Sequence, residues 1–258
     1  MIKLIASDLD GTLLLNGSQT LPPETCSQIK KLKEKGIIFV AASGRQYANL
    51  RRLFAPVQDD IAYICENGCL VFYQGKMLYK AEMDHDLGQE MLRTIMEQEH
   101  AEALLSGENT SYLQPKKDSY RVLLEDVVKN NVTVVEDIMN TPETYFKISL
   151  YEEEGLEKTQ NFWKEKFGKR AAVVTSGNEW LDMMPCGTNK GHALGVLLEH
   201  LKIDPSECLA FGDQQNDIEM LTLAGYGCAM DGAQDAVKKV CPYHIDRVGR
   251  ALDKIIKM

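Results

Sequence analysis

Asp8 and Asp10 stand two residues apart in the run Ser7-Asp8-Leu9-Asp10-Gly11-Thr12, just after the apolar stretch Leu4-Ile5-Ala6. A carboxylate can attack phosphorus to give an aspartyl-phosphate, as carboxylates do in covalent catalysis of this type. A second carboxylate two positions on points the same way if the chain stays extended, and it can handle the proton of the leaving group. Asp213 and Asp217 form a further acidic pair in Gly212-Asp213-Gln214-Gln215-Asn216-Asp217. Carboxylates gathered this densely repel one another unless a cation sits among them, and hard oxygen ligands beside a phosphate select Mg²⁺. Phosphate oxygens that the ion leaves free need donors. Ser43 with the neighbouring Gly44 amide, Lys190 as a point charge and the Asn216 amide can supply them.

These residues converge only if the elements that carry them end at one rim. Residues 3–7 form a short apolar run, a helical pattern covers 22–36 between Pro22-Pro23 and Gly36, and 37–42 is a second, continuously apolar strand. A helix is expected over 46–54, a strand over 63–65, and a hairpin of 69–73 with 77–80 around Gln74-Gly75-Lys76. The alternation resumes with a helix over 189–201, a strand over 208–211, a helix over 215–223, a strand over 226–230, a helix over 233–240, a strand near 243–245 and a closing helix over 247–258. The expected fold is α/β, a doubly wound, Rossmann-like parallel sheet. Ligands of such sheets bind beyond the carboxyl ends of the strands, where Asp8, Asp10, Ser43 and Asp213 all fall. Between the two halves, 84–184 carries its own helices (86–99, 155–167) and strands (103–105, 145–151, 171–174, 180–183) and is expected to form an inserted α+β cap domain. The core is then 1–83 with 185–258.

The chain of 258 residues, 44% apolar and 26% charged, has no apolar run near the roughly 20 residues that span a bilayer. Its N-terminus leaves no room for a signal-peptide apolar region, so a cytoplasmic location is expected. A formal net charge of −9 argues against nucleic acid as a partner, and Lys30, Lys31, Lys33 and Lys35 read as the solvated face of a helix. The seven cysteines are odd in number and lack a Cys-x-x-Cys pair, so they read as reduced, mostly buried residues. The five histidines show no metal-ligand spacing, and Gly225-Tyr226-Gly227 lacks the third glycine of a dinucleotide fingerprint. Glu108, Asn109, Asn178 and Glu179 read as surface loops of the insertion.

The ordered set resembles the haloacid dehalogenase superfamily of phosphohydrolases. Asp8-Leu9-Asp10-Gly11-Thr12-Leu13-Leu14 is similar to its first motif, Ser43-Gly44-Arg45 to its second, Asn189-Lys190-Gly191 to its third and Gly212–Asp217 to its fourth, and the position of the insertion resembles the cap of the Cof-like subgroup. The resemblance implies Asp8 as nucleophile and Asp10 as the acid that protonates the leaving group and then activates water. It implies Mg²⁺ held by Asp8, the Asp10 backbone carbonyl and Asp213, with Asp217 binding directly or through water. Two departures stand out: Gln214 where glycine is common, and Met230-Asp231-Gly232 in place of a Met-Gly-Asn turn. The expected activity is a phosphatase of small phosphorylated metabolites. A phosphotransferase or mutase using the same aspartyl-phosphate is the alternative, and a binding module is disfavoured because binding alone does not need both Asp8 and Asp10.

Overall fold

A computed structural model describes residues 1–108, 110–141 and 143–258. Strand β1 (Leu4–Ser7) is wholly buried, and the chain returns through helix α1 (Thr25–Glu34) to β2 (Ile38–Ala42). α1 begins three residues after the expected start, because Pro22 and Pro23 lie in the turn before it; it buries Thr25, Gln28, Ile29 and Leu32, one face at helical spacing. Lys30, Lys31, Lys33 and Lys35 are all exposed, with Lys33 paired to Asp60 at 2.5 Å. Helix α2 (Tyr47–Leu53) leads to β3 (Ala62–Cys65), followed by β4 (Leu70–Tyr73) and β5 (Lys76–Lys80).

The inserted part opens with α3 (His85–Met96), whose N-cap Asp84 accepts a hydrogen bond from the Leu87 N–H. It continues with β6 (Ala101–Gly107), β7 (Ser111–Leu113), α4 (Asp118–Val122), β8 (Val132–Val134), β9 (Tyr145–Glu152), α5 (Gln160–Phe167), β10 (Ala171–Thr175) and β11 (Trp180–Pro185). These strands form one sheet in the order β10-β11-β9-β6-β7-β8. Met91, Leu92 and Ile95 of α3 and Trp163 and Phe167 of α5 pack on one sheet face against Leu105, Ile148, Leu150, Leu181 and Met183. A smaller cluster, including Leu104, Leu113, Tyr120 and Leu124, involves α4 and the turn after it. Glu108 and Glu179 are hydrogen-bonded within this part, Glu108 to Lys80 Nζ at 3.0 Å and the Glu179 carbonyl to the Glu152 N–H at 3.0 Å; Asn109 lies outside the described residues.

The chain then re-enters the first sheet. Helix α6 (Lys190–Leu201), capped by the Asn189 side chain, is followed by β12 (Cys208–Gly212), α7 (Ile218–Leu223), β13 (Tyr226–Met230), α8 (Asp235–Val240), β14 (Tyr243–Ile245) and α9 (Val248–Lys257). The order is β14-β13-β12-β1-β2-β3-β4-β5, parallel from β14 to β3 and antiparallel between β3 and β4. This is the doubly wound α/β sheet. β1 lies between its two halves, with Ser7 in register with Phe211 on one side and Ala41 on the other. The residues just past β1, β12 and β2 therefore end level, at the switch point of the sheet.

Two compact units result, one of Met1–Tyr79 with Asn189–Met258 and one of Lys80–Thr188. The second unit extends four residues beyond each end of the expected insertion, 84–184. The flanking residues bond into the insertion: the Met83 N–H donates to the Tyr145 carbonyl at 3.0 Å, and Lys80 Nζ reaches Glu108 and Thr144, each at 3.0 Å. All seven cysteines are free, five of them buried. No helix among the described residues is long and apolar enough to cross a membrane.

Candidate active site

The first strand delivers Asp8 into a buried position at the carboxyl edge of the sheet. The Asp8 N–H continues the ladder by donating to the Phe211 carbonyl at 3.0 Å. After Leu9 the chain turns: the Thr12 and Leu14 N–H groups both donate to the Leu9 carbonyl, at 3.1 and 2.7 Å. The extended geometry expected through Asp10 is therefore not what forms. Asp8 is buried, whereas the Asp10 side chain is 54% exposed and turns to Arg45. Arg45 Nε donates to Asp10 Oδ2 at 2.9 Å and Nη2 to Oδ1 at 2.5 Å, a bidentate pair, and Nη2 also reaches Gln19 Oε1 at 2.9 Å.

Asp8, Asp213 and Asp217 come together, with one carboxylate oxygen of each within 4.8 Å of the others. Lys190, only 1% exposed, sits among them: its Nζ donates to Asp8 Oδ1 at 2.7 Å and to Asp217 Oδ1 at 2.6 Å. The second Asp217 oxygen, Oδ2, accepts the N–H groups of Asp213 and Gln214, both at 3.0 Å, which closes the turn after β12. Asp213 is oriented by Thr12 Oγ1 at 2.8 Å and by Gln214 Nε2 at 2.9 Å. The turn needs its glycines. A Cβ on Gly212 would lie 2.5 Å from that of Asp217, and one on Gly11, at φ 91°, would overlap Asp213 Oδ2.

Ser43, 1% exposed, opens the loop after β2. Its N–H donates to the Ile64 carbonyl at 2.9 Å, and its Oγ accepts the Arg45 N–H at 3.2 Å. Asn216 Nδ2 donates to Asn67 Oδ1 at 3.1 Å. Asn67 is a residue that the sequence reading passed over, although it follows β3 at the same strand-end rim as Ser43.

Three carboxylates face one ammonium, and the electrostatics reflect the imbalance. Burial, reinforced by Asp217 and opposed by Lys190, holds the Asp8 carboxyl well above the ordinary carboxylate range. Burial likewise raises Asp213, against the hydrogen bonds from Thr12 and Gln214. For Lys190 burial acts downward, but the attraction of Asp217 and Asp8 outweighs it and the ammonium is raised. Asp8 Oδ2 is buried and has no hydrogen-bond partner among the described residues. Hard oxygens in excess negative charge, with one carboxylate oxygen unpartnered, are the donor set of a divalent cation, and this acidic cluster could bind one.

Residues 5–249 match the model of a family described as haloacid dehalogenase-like hydrolases. The chain belongs to that family. It is 31% identical to 5-amino-6-(5-phospho-D-ribitylamino)uracil phosphatase YbjI of Escherichia coli K12, over 99% of this chain and 97% of that one. It is 30% identical to the HMP-PP phosphatase of Enterobacter sp. strain 638, over 90% and 85%. A crystal structure of a haloacid dehalogenase-like hydrolase from Bacteroides thetaiotaomicron superposes with a TM-score of 0.84 at 25% identity, covering 99% of this chain and all of the other. As a member of this family with named phosphatases among its relatives, the chain is a phosphoric monoester hydrolase.

Proposed function

We infer that the chain hydrolyses a small phosphorylated metabolite through an aspartyl-phosphate on Asp8. The observation that carries this reading is the burial of Asp8 against Lys190, beside Asp213 and Asp217, with Asp8 Oδ2 unpartnered at the switch point of the sheet. Lys190 pins Oδ1, so Oδ2 is the oxygen left to attack phosphorus in line with the departing alcohol. Asp10 gives its proton to the ester oxygen as the P–O bond breaks, so that the leaving group departs as an alcohol, and the resulting carboxylate takes a proton from the water that cleaves the aspartyl-phosphate. For both steps it must leave its bidentate pair with Arg45, whose N–H groups occupy both carboxylate oxygens.

Ser43 Oγ–H, the Gly44 amide, Lys190 and the Asn216 amide hold the equatorial phosphoryl oxygens, and their positive ends face the charge that develops there. Asp8, Asp213, Asp217 and the Asp10 carbonyl would hold Mg²⁺. Asp217 already accepts three donors, so it reaches the ion through its remaining lone pairs or through water. When bound, the ion neutralises phosphate charge and aligns it for attack. The unit Lys80–Thr188 corresponds to the inserted cap domain.

Phosphate release should be measured from p-nitrophenyl phosphate, a panel of sugar phosphates and the phosphoribityl compound named for the Escherichia coli relative, with and without Mg²⁺. The wild-type protein is expected to turn over at least one of them in a Mg²⁺-dependent manner. Asp8→Asn, which removes the nucleophilic oxygen with little change in volume, is expected to lose at least about three orders of magnitude. Full activity in Asp8→Asn, or none in wild type across the panel, would sink the reading.

A further inference from the structure

Past the carboxyl end of β3, Glu66, Asn67 and Gly68 take φ values of 52°, 55° and 99°. All three residues are buried. L-residues avoid this left-handed region, and a non-glycine pair kept there must be held by its surroundings. Those surroundings are the loops of the active site. The Glu66 N–H donates to the Arg45 carbonyl at 3.2 Å and the Asn67 N–H to the Ser43 carbonyl at 3.1 Å. Asn67 Oδ1 accepts from Asn216 Nδ2 at 3.1 Å, while Asn216 Oδ1 is buried without a partner among the described residues. A Cβ on Gly44 would lie 3.1 Å from the Asn67 amide, and one on Gly68 would overlap the Asn189 carbonyl, next to Lys190. One short turn therefore touches the loops that carry Ser43, Lys190 and Asn216.

We propose that Asn67 is a positioning residue for phosphate binding, acting through Asn216. This rests on the reading above that Asn216 donates to the phosphoryl group. A carboxamide nitrogen has two N–H groups. One is spent on Asn67, which fixes the plane of the Asn216 amide, and the other is thereby presented to a phosphate oxygen. Without the acceptor at Asn67 the amide rotates freely, and the donor must be ordered when the phosphate arrives. The left-handed backbone follows from the same requirement. It brings the Asn67 side chain back over the loop after β2, and asparagine is the residue beyond glycine that tolerates this conformation best.

The test is a double-mutant cycle of Asn67→Gly, which keeps the left-handed backbone and removes the acceptor, with Asn216→Ala. Inhibition by inorganic phosphate in the presence of Mg²⁺ is measured for the four proteins, together with kcat and KM for p-nitrophenyl phosphate, and thermal melts verify folding. Asn67→Gly is expected to raise the inhibition constant and KM roughly fivefold, the size of one neutral hydrogen bond, with a smaller change in kcat. In the Asn216→Ala background it should change them less than about twofold, because the group it positions is gone. Independent, multiplicative losses overturn the proposal, as does a wild-type inhibition constant in Asn67→Gly alone. If Asn216→Ala itself binds phosphate like wild type, the role given to Asn216 fails and this proposal with it. If Asn216→Ala is impaired and Asn67→Gly is not, the proposal alone fails. Should glycine lower the melting temperature, the four proteins are assayed well below every transition and the ratio between backgrounds is read, since a common loss of stability cancels.

Discussion

Lys190 keeps two carboxylates together that would otherwise drive each other apart. Its Nζ lies 2.7 Å from Asp8 and 2.6 Å from Asp217, out of reach of solvent screening. Removing one partner of a buried ion pair leaves uncompensated charge and costs about 3–5 kcal/mol. Lys190→Ala is therefore expected to destabilise the metal-free protein by that order in urea unfolding and to lower kcat/KM at least about a hundredfold. Lys190→Arg should not restore activity, because the planar guanidinium does not fit a site that is closed to solvent. Wild-type kcat/KM in either variant would show that Lys190 is not needed to hold the phosphoryl group. The residues of this cluster were legible in the sequence because each stands at the end of an apolar strand or the start of a helix. The partnership of Asp10 with Arg45 was not, since it depends on a turn at 9–12 that breaks the alternation. Asn67 was passed over because Glu66-Asn67-Gly68 reads as an ordinary turn.

At the scale of elements, the loop after β1 and the turn after β12 fit against each other through a glycine. Gly11 has φ 91°, and a Cβ there would meet Asp213 Oδ2, the oxygen that Gln214 also holds. Gly17 has φ 70° with open space around it. Both Gly11→Ala and Gly17→Ala carry the strain of a left-handed alanine, about 1–2 kcal/mol. Gly11→Ala alone should also displace Asp213. Titrating phosphate release with Mg²⁺ is expected to show half-activation shifted at least about tenfold upward in Gly11→Ala and unmoved in Gly17→Ala; equal shifts would remove Asp213 from the metal site. The elements of the parallel sheet were readable because strands buried on both faces are continuously apolar. The insertion was harder. The helix expected over 155–167 begins only at Gln160, because residues 155–159 turn through bonds such as Leu156 N–H to the Asn178 carbonyl at 2.9 Å. β7 and β8 have three residues each, and β8 is largely exposed, so neither shows the period that marks a strand.

For the whole molecule, two units with separate cores mean that a ligand of one need not stabilise the other. The acidic cluster belongs to Met1–Tyr79 with Asn189–Met258, whereas both tryptophans, Trp163 and Trp180, belong to Lys80–Thr188. A cation that binds only the folded site stabilises by RT ln(1 + [L]/Kd), about 2.7 kcal/mol at a hundredfold excess over Kd. Saturating Mg²⁺ should thus raise the melting transition seen by circular dichroism by several degrees and move the tryptophan fluorescence transition by less than half as much. Equal shifts would mean that the two units unfold as one. The effect has a defined pH dependence. Asp8 and Asp213 are raised, so in the metal-free protein the native state holds protons that the unfolded chain has released, and the contribution of these groups to stability falls as pH rises through that interval. The cation must displace those protons, so the Mg²⁺-induced shift is largest at neutral pH and shrinks on acidification. Asp213→Asn, which removes a charge and one proton-binding group from the cluster, should reduce both the shift and its pH dependence. A shift that stays constant between neutral and acidic pH would place the cation away from Asp8 and Asp213.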